Sequence, residues 1–350
     1  MKPFLSNMLR DPVHLESMTV ESSDSISDEI ISGNLVASDG TKYPIQNGVP
    51  RFVLTEDKGQ LQTKDTFDYK WKKRDTYDST AAKSVAAQWL IEKYGFKSQA
   101  EWVDYYASRQ NVLDVGCGSG FSSSLWLDSP YWVGEVPWIG VDISGAIDTA
   151  LERLSQIRNT YFVQADALQL PFADNSVDAI FSEGVLHHTP STSQALFSCS
   201  RVLAHGGEIN FYVYRKKGPV REFTDDYIRD QIAGFSDEEA WNAMRSLTRL
   251  GQILSEANTS VELDIDIPLL GVTAGQYTVQ RLIYWNFAKV FWNPEFSFEE
   301  NVHVNFDWYR PKYAHRQTAE ELRAWCAQVN LKIIWFHEQE SGFTVRAIKE

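Results

Sequence analysis

The segment Val112-Leu-Asp-Val-Gly-Cys-Gly-Ser-Gly-Phe121 constrains the fold more than any other part of the chain. A short apolar strand, Val112 to Val115, runs into glycines at 116, 118 and 120, and a helix-like stretch follows. Glycines at this spacing let the backbone turn sharply and approach a ligand closely, because no Cβ stands in the way. A strand that feeds such a turn and then a helix is a building unit of a parallel α/β sheet. The spacing differs from the dinucleotide pyrophosphate fingerprint, whose third glycine stands one position later.

From residue 111 onward, strand and helix patterns alternate as in a sheet covered by helices on both faces. Strands are expected at 111–115, 138–142, 160–165, 177–182 and 207–214, with helices over 145–154 and 191–203 between them. His205-Gly206-Gly207 reads as the turn into the fifth strand, and 128–138 as an enlarged loop. About 100 residues, 215–316, then interrupt the pattern; they are rich in aromatics and show helical stretches at 236–257 and 278–290. A last helix is expected over 316–327, with Thr318 as N-cap and Glu321 completing a capping box. Strands at 331–337 and 342–348 close the chain.

Ahead of this core, residues 1–60 read as a separate β-rich unit with hairpin turns at Asp39-Gly40 and Asn47-Gly48, and 21–28 as a loop. Residues 61–110 hold the aromatic-basic stretch Phe67-Asp-Tyr-Lys-Trp71, then helical patterning through Val85, Trp89, Leu90 and Tyr94 that stops at Gly95. The resulting division is 1–60, 61–214, 215–316 and 317–350.

The glycine turn resembles motif I of the class I S-adenosylmethionine-dependent methyltransferases. Asp142, in Gly140-Val-Asp-Ile143, and Asp166, in Gln164-Ala-Asp-Ala167, stand at the ends of the second and third strands, where that family carries its acids. The resemblance implies an α/β, Rossmann-like sheet of seven strands, the last antiparallel; residues 215–316 depart from that core and read as a helical cap inserted after strand five. It implies S-adenosylmethionine as cofactor and S-adenosylhomocysteine as product. Asp142 would accept from both ribose hydroxyls, while Asp166 and the Ala167 N–H would meet adenine. Asp114 and the Gly116 carbonyl would face the methionine ammonium. Cys117, Gly118, Gly120, Ile143 and Glu183 complete the implied cofactor set. The run 33–52 resembles the C-terminal half of zinc-ribbon modules that precede many bacterial methyltransferases. It has no cysteine, so no Cys-ligated metal is expected there, and a packing or lid role remains.

His187 and His188 follow strand four, beside the implied transfer point, and are the candidate general bases; the alternative for both is packing or capping. In the inserted block, Arg281, Tyr284, Tyr309, Arg310 and Tyr313 are the candidate acceptor contacts. Arg281 or Arg310 could clamp a carboxylate or phosphate, and the alternative is a cap whose aromatics form its own core. Two basic clusters, Lys70/Lys72/Lys73/Arg74 and Arg215/Lys216/Lys217/Arg221, read either as solvated faces or as local capture of an anionic substrate group.

Composition narrows the partners. The net charge of −14 offers no overall attraction to a phosphate backbone, and the Asn/Asp-Pro-Pro-Tyr type of motif is absent after strand four. A small-molecule methyl acceptor reacting at O, S or N is therefore favoured over nucleic acid. An RNA methyltransferase and a non-catalytic cofactor-binding scaffold stay open, as does a homo-oligomer. The three cysteines are far apart, no metal site is expected, and no apolar run reaches the roughly 20 residues that span a bilayer. Without a signal-peptide pattern at the start, a cytoplasmic protein is expected.

Overall fold

The computed structural model describes residues 1–26 and 28–350. A short helix, α1 (Pro3–Met8), precedes four antiparallel strands paired in chain order: β1 (Thr19–Ile26), β2 (Glu29–Val36), β3 (Lys42–Gln46) and β4 (Val49–Pro50). The two hairpin turns fall at the expected glycines, with Asn47 and Gly48 both at positive φ (52° and 76°), as a tight hairpin requires. The expected loop at 21–28 is corrected: residues 21–26 belong to β1, and Ser27 lies outside the described residues. Every position of β1 is exposed, so no alternation of apolar residues marks it as a strand.

Three helices follow, α2 (Lys58–Lys72), α3 (Thr80–Lys93) and α4 (Gln99–Ala107). Asp57, Ser79 and Ser98 cap them, each side chain accepting a backbone N–H of the first turn. The core then runs β5 (Val112–Val115), α5 (Phe121–Leu127), β6 (Trp138–Asp142), α6 (Ala146–Leu154), β7 (Thr160–Gln164), β8 (Val177–Glu183), α7 (Thr192–Val202) and β9 (Leu203–Tyr214). The inserted block supplies α8 (Pro219–Gln231), α9 (Asp237–Glu256), the hairpin β10 (Ser260–Leu263) and β11 (Gly275–Thr278), α10 (Val279–Asn286) and α11 (Phe298–Tyr309). The chain ends with α12 (Ala319–Gln328), β12 (Leu331–Glu338) and β13 (Gly342–Lys349). The Thr318–Glu321 capping box is formed. The helix expected over 278–290 ends at Asn286. His205-Gly206-Gly207 is not a free turn: it lies within β9, beside a register shift between Val177 and Ala179 on β8, a bulge that absorbs the Gly206 φ of 79°.

The large sheet has the order β12-β13-β9-β8-β5-β6-β7, with β13 antiparallel to both neighbours. β5 lies between β6 and β8, parallel to each. The connections therefore reverse direction at β5, and a crevice opens beyond the carboxyl ends of these strands, where open α/β sheets bind ligands.

The N-terminal strands are joined to this sheet. The Phe52 N–H donates to the Gln164 carbonyl at 2.7 Å, and Arg51 pairs in parallel with Gln164 at the end of β7. Leu5, Leu35, Tyr43 and Phe52 share one apolar cluster with Leu113, Ile139 and Val163.

Candidate functional site

A cavity of about 600 Å³ opens at the carboxyl ends of β5, β6, β7 and β8 and continues under the inserted block. Its size falls within the range of small-molecule sites.

The first half is built by the strand ends. Val115 and Gly116 come from β5, Asp142 and Ile143 from β6, Ala165 to Ala167 from the end of β7, and Glu183 to Val185 from β8. Asp142 is buried and its carboxylate is already engaged. Oδ2 accepts from the Gly118 N–H at 2.8 Å, and Oδ1 accepts from the Ser144 N–H at 2.8 Å and its hydroxyl at 2.6 Å. A carboxylate offers about four acceptor positions, so one remains, on Oδ2. A pair of hydroxyls at Asp142 requires Ser144 Oγ to turn away. Burial raises the Asp142 pKa, against the Ser144 and Gly118 bonds. Asp166 accepts the Leu168 N–H at 2.9 Å through Oδ1; burial raises its pKa too.

The glycine turn is closely covered. A Cβ on Gly116 would lie 2.2 Å from a Val185 methyl, and one on Gly118 would lie 2.6 Å from Trp71 Nε1; both residues are at positive φ. Trp71, from α2, thus lies directly on the turn. Of the other residues expected at this end, Asp114, Cys117, Gly118 and Gly120 do not line the cavity. Asp114 is turned into the interior, where Oδ2 accepts the Ser123 hydroxyl at 2.6 Å, and burial pushes its pKa up to about 7. The carboxylate that does reach this end is Glu183, held by Lys93 and by the Tyr94 hydroxyl at 2.8 Å.

The second half is an aromatic and cationic chamber. Tyr212 and Tyr214 of β9, Tyr284 and Trp285 of α10 and Trp308 of α11 wall it. Lys70, Lys217, Arg221, Arg281 and Lys289 also line it. Lys70 is paired with Asp307. Burial pushes the Asp307 pKa up, but the Lys70 ammonium beside it outweighs this and holds the carboxyl well below the usual range. Arg221 is paired with Asp225, whose oxygens also accept Trp308 Nε1–H at 2.8 Å and the Tyr309 hydroxyl at 3.0 Å.

The two histidines part company here. His188 lines the cavity, and its Nδ1 lies 2.6 Å from the Tyr313 carbonyl. A carbonyl only accepts, so Nδ1 carries the proton and, in the neutral ring, Nε2 is left with a lone pair. Burial lowers its pKa to about 4, so the ring is neutral near pH 7. His187 is fully buried behind it, 3.8 Å from the Tyr214 ring, and neither of its nitrogens has a partner among the described residues. Burial holds it well below the usual imidazole range, so it too is uncharged.

Of the expected acceptor contacts, Arg281 and Tyr284 line the chamber, and Tyr309, Arg310 and Tyr313 do not. Tyr309 spends its hydroxyl on Asp225 and on the Lys289 N–H. Arg310 pairs with Asp237 at 2.7 Å and donates to the Phe235 carbonyl, so it is not free to clamp a ligand here. Tyr313 donates to Asp57 and covers Gly59. Sequence reasoning missed Lys289 and Tyr212 as chamber residues. It had singled out Lys70, Lys217 and Arg221 as members of basic clusters, and those clusters split: Lys70 and Arg221 are buried at the chamber, while Lys72 and Lys216 are exposed.

Residues 113–211 match a family described as "Methyltransferase domain". A probable tRNA methyltransferase 9B of Mus musculus is 34% identical over 115 residues, covering 32% of this chain and 23% of that protein. Phosphoethanolamine N-methyltransferase 1 of Triticum aestivum is 26% identical over 224 residues, covering 63% of this chain and 43% of that protein. The chain therefore spans less than half the length of these curated relatives. A solved structure of magnesium protoporphyrin IX methyltransferase from Synechocystis with bound SAM aligns with a TM-score of 0.44 at 12% identity, over 85% of this chain and 100% of that one. Among the described residues, no helix is long and apolar enough to cross a membrane.

Proposed function

As residues 113–211 belong to the class I S-adenosylmethionine-dependent methyltransferases, we propose that this chain methylates a small molecule held in the aromatic chamber. One observation carries the reading: a single cavity joins the strand-end acids Asp142 and Asp166 to an enclosed chamber built from β9 and the inserted block.

The residues fit the cofactor. Gly116 lines the cavity at the turn, Asp142 retains an acceptor position for a ribose hydroxyl, and Asp166 offers Oδ2 to an exocyclic amine. Glu183, rather than Asp114, is the acid that reaches the end where an α-ammonium would need a counter-charge. When bound, S-adenosylmethionine supplies a methyl group already activated by its positive sulfur. The chain's own contribution is to orient the acceptor behind that carbon and exclude water, which can account for much of the acceleration. The Trp71 indole and the rings of the chamber do the excluding. His188, with Nε2 unprotonated, takes the proton of an acceptor that must lose one. His187 has no access to the cavity and supports the His188 ring by packing, at 4.2 Å between centroids.

The enclosed chamber and the charge of −14 support a small-molecule acceptor over a polynucleotide. The test is incubation with methyl-labelled cofactor and a fractionated metabolite extract. Label in a low-molecular-mass product is expected. Label appearing only in RNA, or none at all despite calorimetric binding of S-adenosylhomocysteine, would overturn the acceptor class or the enzymatic reading respectively.

A further inference from the structure

Lys289 lies in the segment between α10 and α11 and is 7% exposed. Its ammonium lies 4.6 Å above the centre of the Trp308 ring and has no hydrogen bond or ion pair among the described residues. A buried ammonium without an anion is costly, so burial makes Lys289 give up its proton more readily than a free lysine; an anionic ligand beside it would favour the charged form again. The two carboxylates that could have served are committed: Asp307 to Lys70 and Tyr214, and Asp225 to Arg221, Trp308 and Tyr309.

The same ring gathers further cations. Arg221 Cζ lies 5.3 Å and Lys217 Nζ 6.0 Å from the Trp308 centre. Lys217 donates to the carbonyls of Ser341, at 3.0 Å, and Glu340, and to no carboxylate among the described residues. Tyr284 forms a second meeting point, with Arg221 at 5.6 Å and Arg281 at 5.4 Å. Arg281 is exposed and stands at the mouth. At the Trp308 end of the cavity, Lys70 and Arg221 are matched by Asp307 and Asp225, while Lys217, Arg281 and Lys289 have no carboxylate partner among the described residues, in a chain whose net charge is −14. A general electrostatic surplus does not explain that local excess; the chamber has been made positive where the rest of the molecule is negative.

We propose that the methyl acceptor is an organic anion, with a carboxylate or phosphate seated between Lys289 and Lys217, Arg281 at the entrance, and a flat or apolar body against Trp308, Tyr284 and Tyr214. The proposal rests on the methyltransferase reading of the same cavity. The rings supply contact area and the cations supply orientation: an anion fixed at the Trp308 end places the opposite end of a short molecule toward His188 and the strand ends.

The test uses the full chain saturated with S-adenosylhomocysteine and three probes of similar shape: phenyl phosphate, benzoate and the neutral benzamide. Calorimetry is expected to show both anions binding at least tenfold tighter than benzamide. A stronger signal for phenyl phosphate identifies a phosphate seat, and one for benzoate a carboxylate seat. Lys289→Met and Lys217→Met should each weaken the anion about tenfold or more while leaving S-adenosylhomocysteine affinity and benzamide binding unchanged. The unchanged cofactor-product affinity certifies that these variants are folded. Equal affinity for benzamide and the anions, or anion binding indifferent to both substitutions, would overturn the inference and leave the methyltransferase reading standing. Failure of the wild-type chain to bind S-adenosylhomocysteine would overturn both.

Discussion

Asp225 and Asp226 are sequence neighbours on α8 with opposite environments, and the contrast makes a quantitative prediction. The Asp225 side chain is fully buried. It accepts Arg221 Nε at 2.9 Å, Trp308 Nε1–H at 2.8 Å and the Tyr309 hydroxyl at 3.0 Å. It thereby ties α8 to α11 across the chamber floor. In Asp225→Asn, one oxygen becomes an NH₂ facing donors, and the Arg221 charge is left buried without its counter-ion. Breaking a buried pair in this way costs about 3–5 kcal/mol. With an unfolding entropy of about 2 cal/mol/K per residue over 350 residues, that corresponds to a fall in Tm of about 4–7 °C. Asp226 is 56% exposed and pairs with Arg316 at 2.7 Å. Asp226→Asn should cost no more than about 1 kcal/mol, as exposed pairs do. Urea titration followed by tryptophan fluorescence reads the global unfolding of both variants. A loss below about 1 kcal/mol for Asp225→Asn, or equal losses for the two variants, would refute the claim that Asp225 anchors the chamber.

Other perturbations separate roles within the cavity. His187→Leu should preserve stability within about 1 kcal/mol and retain methyl transfer, because it removes two buried nitrogens that have no partner; His188→Asn should lower turnover on an acceptor that must lose a proton, by about 10²-fold or more, measured as S-adenosylhomocysteine release. Gly116→Ala should destabilise the chain by about 1–3 kcal/mol and weaken cofactor binding in calorimetry, since its Cβ meets Val185 at 2.2 Å. Burial lowers the Lys289 pKa to about 7, with Asp307 and Asp225 raising it and Arg221 and Arg229 lowering it. The unfolded chain thus binds the extra proton between about pH 7 and 10, and stability from this site rises with pH across that window. Lys289→Met should accordingly stabilise the unliganded protein most at pH 6, by at most about 5 kcal/mol, and the gain should fade toward pH 10 in denaturant titrations.

The core strands were legible because burial on both faces leaves continuous apolar runs, such as Val112-Leu113 and Ile139 to Val141. β1 was not, because an exposed strand of Ser, Glu and Asp carries the composition of a loop. The strand-end acids could be found from position alone: a parallel sheet puts the ends of β6 and β7 at one crevice whatever their side chains do. Which way a side chain turns is decided by packing, and there the sequence was silent. Asp114 turns to Ser123 inside the protein, and His187 and His188, adjacent in the chain, face opposite surroundings. The chamber was the least legible part. Lys70, Lys217 and Lys289 come from three distant segments, and no single segment shows that the fold will close around its lysine.

A parallel sheet that ends in an unpaired strand carries a row of free N–H and C=O groups, open to any other extended chain. Here β7 ends the large sheet, and the loop leading out of β4 meets its last residue, Gln164, through Arg51 and Phe52. The small ribbon thus hems one corner of that border, as a stitch stops a cloth from fraying. A chain trimmed back to residue 61 would keep every strand-end acid yet bare both that corner and the greasy floor under Tyr43 and Phe52, a surface inviting to other extended chains.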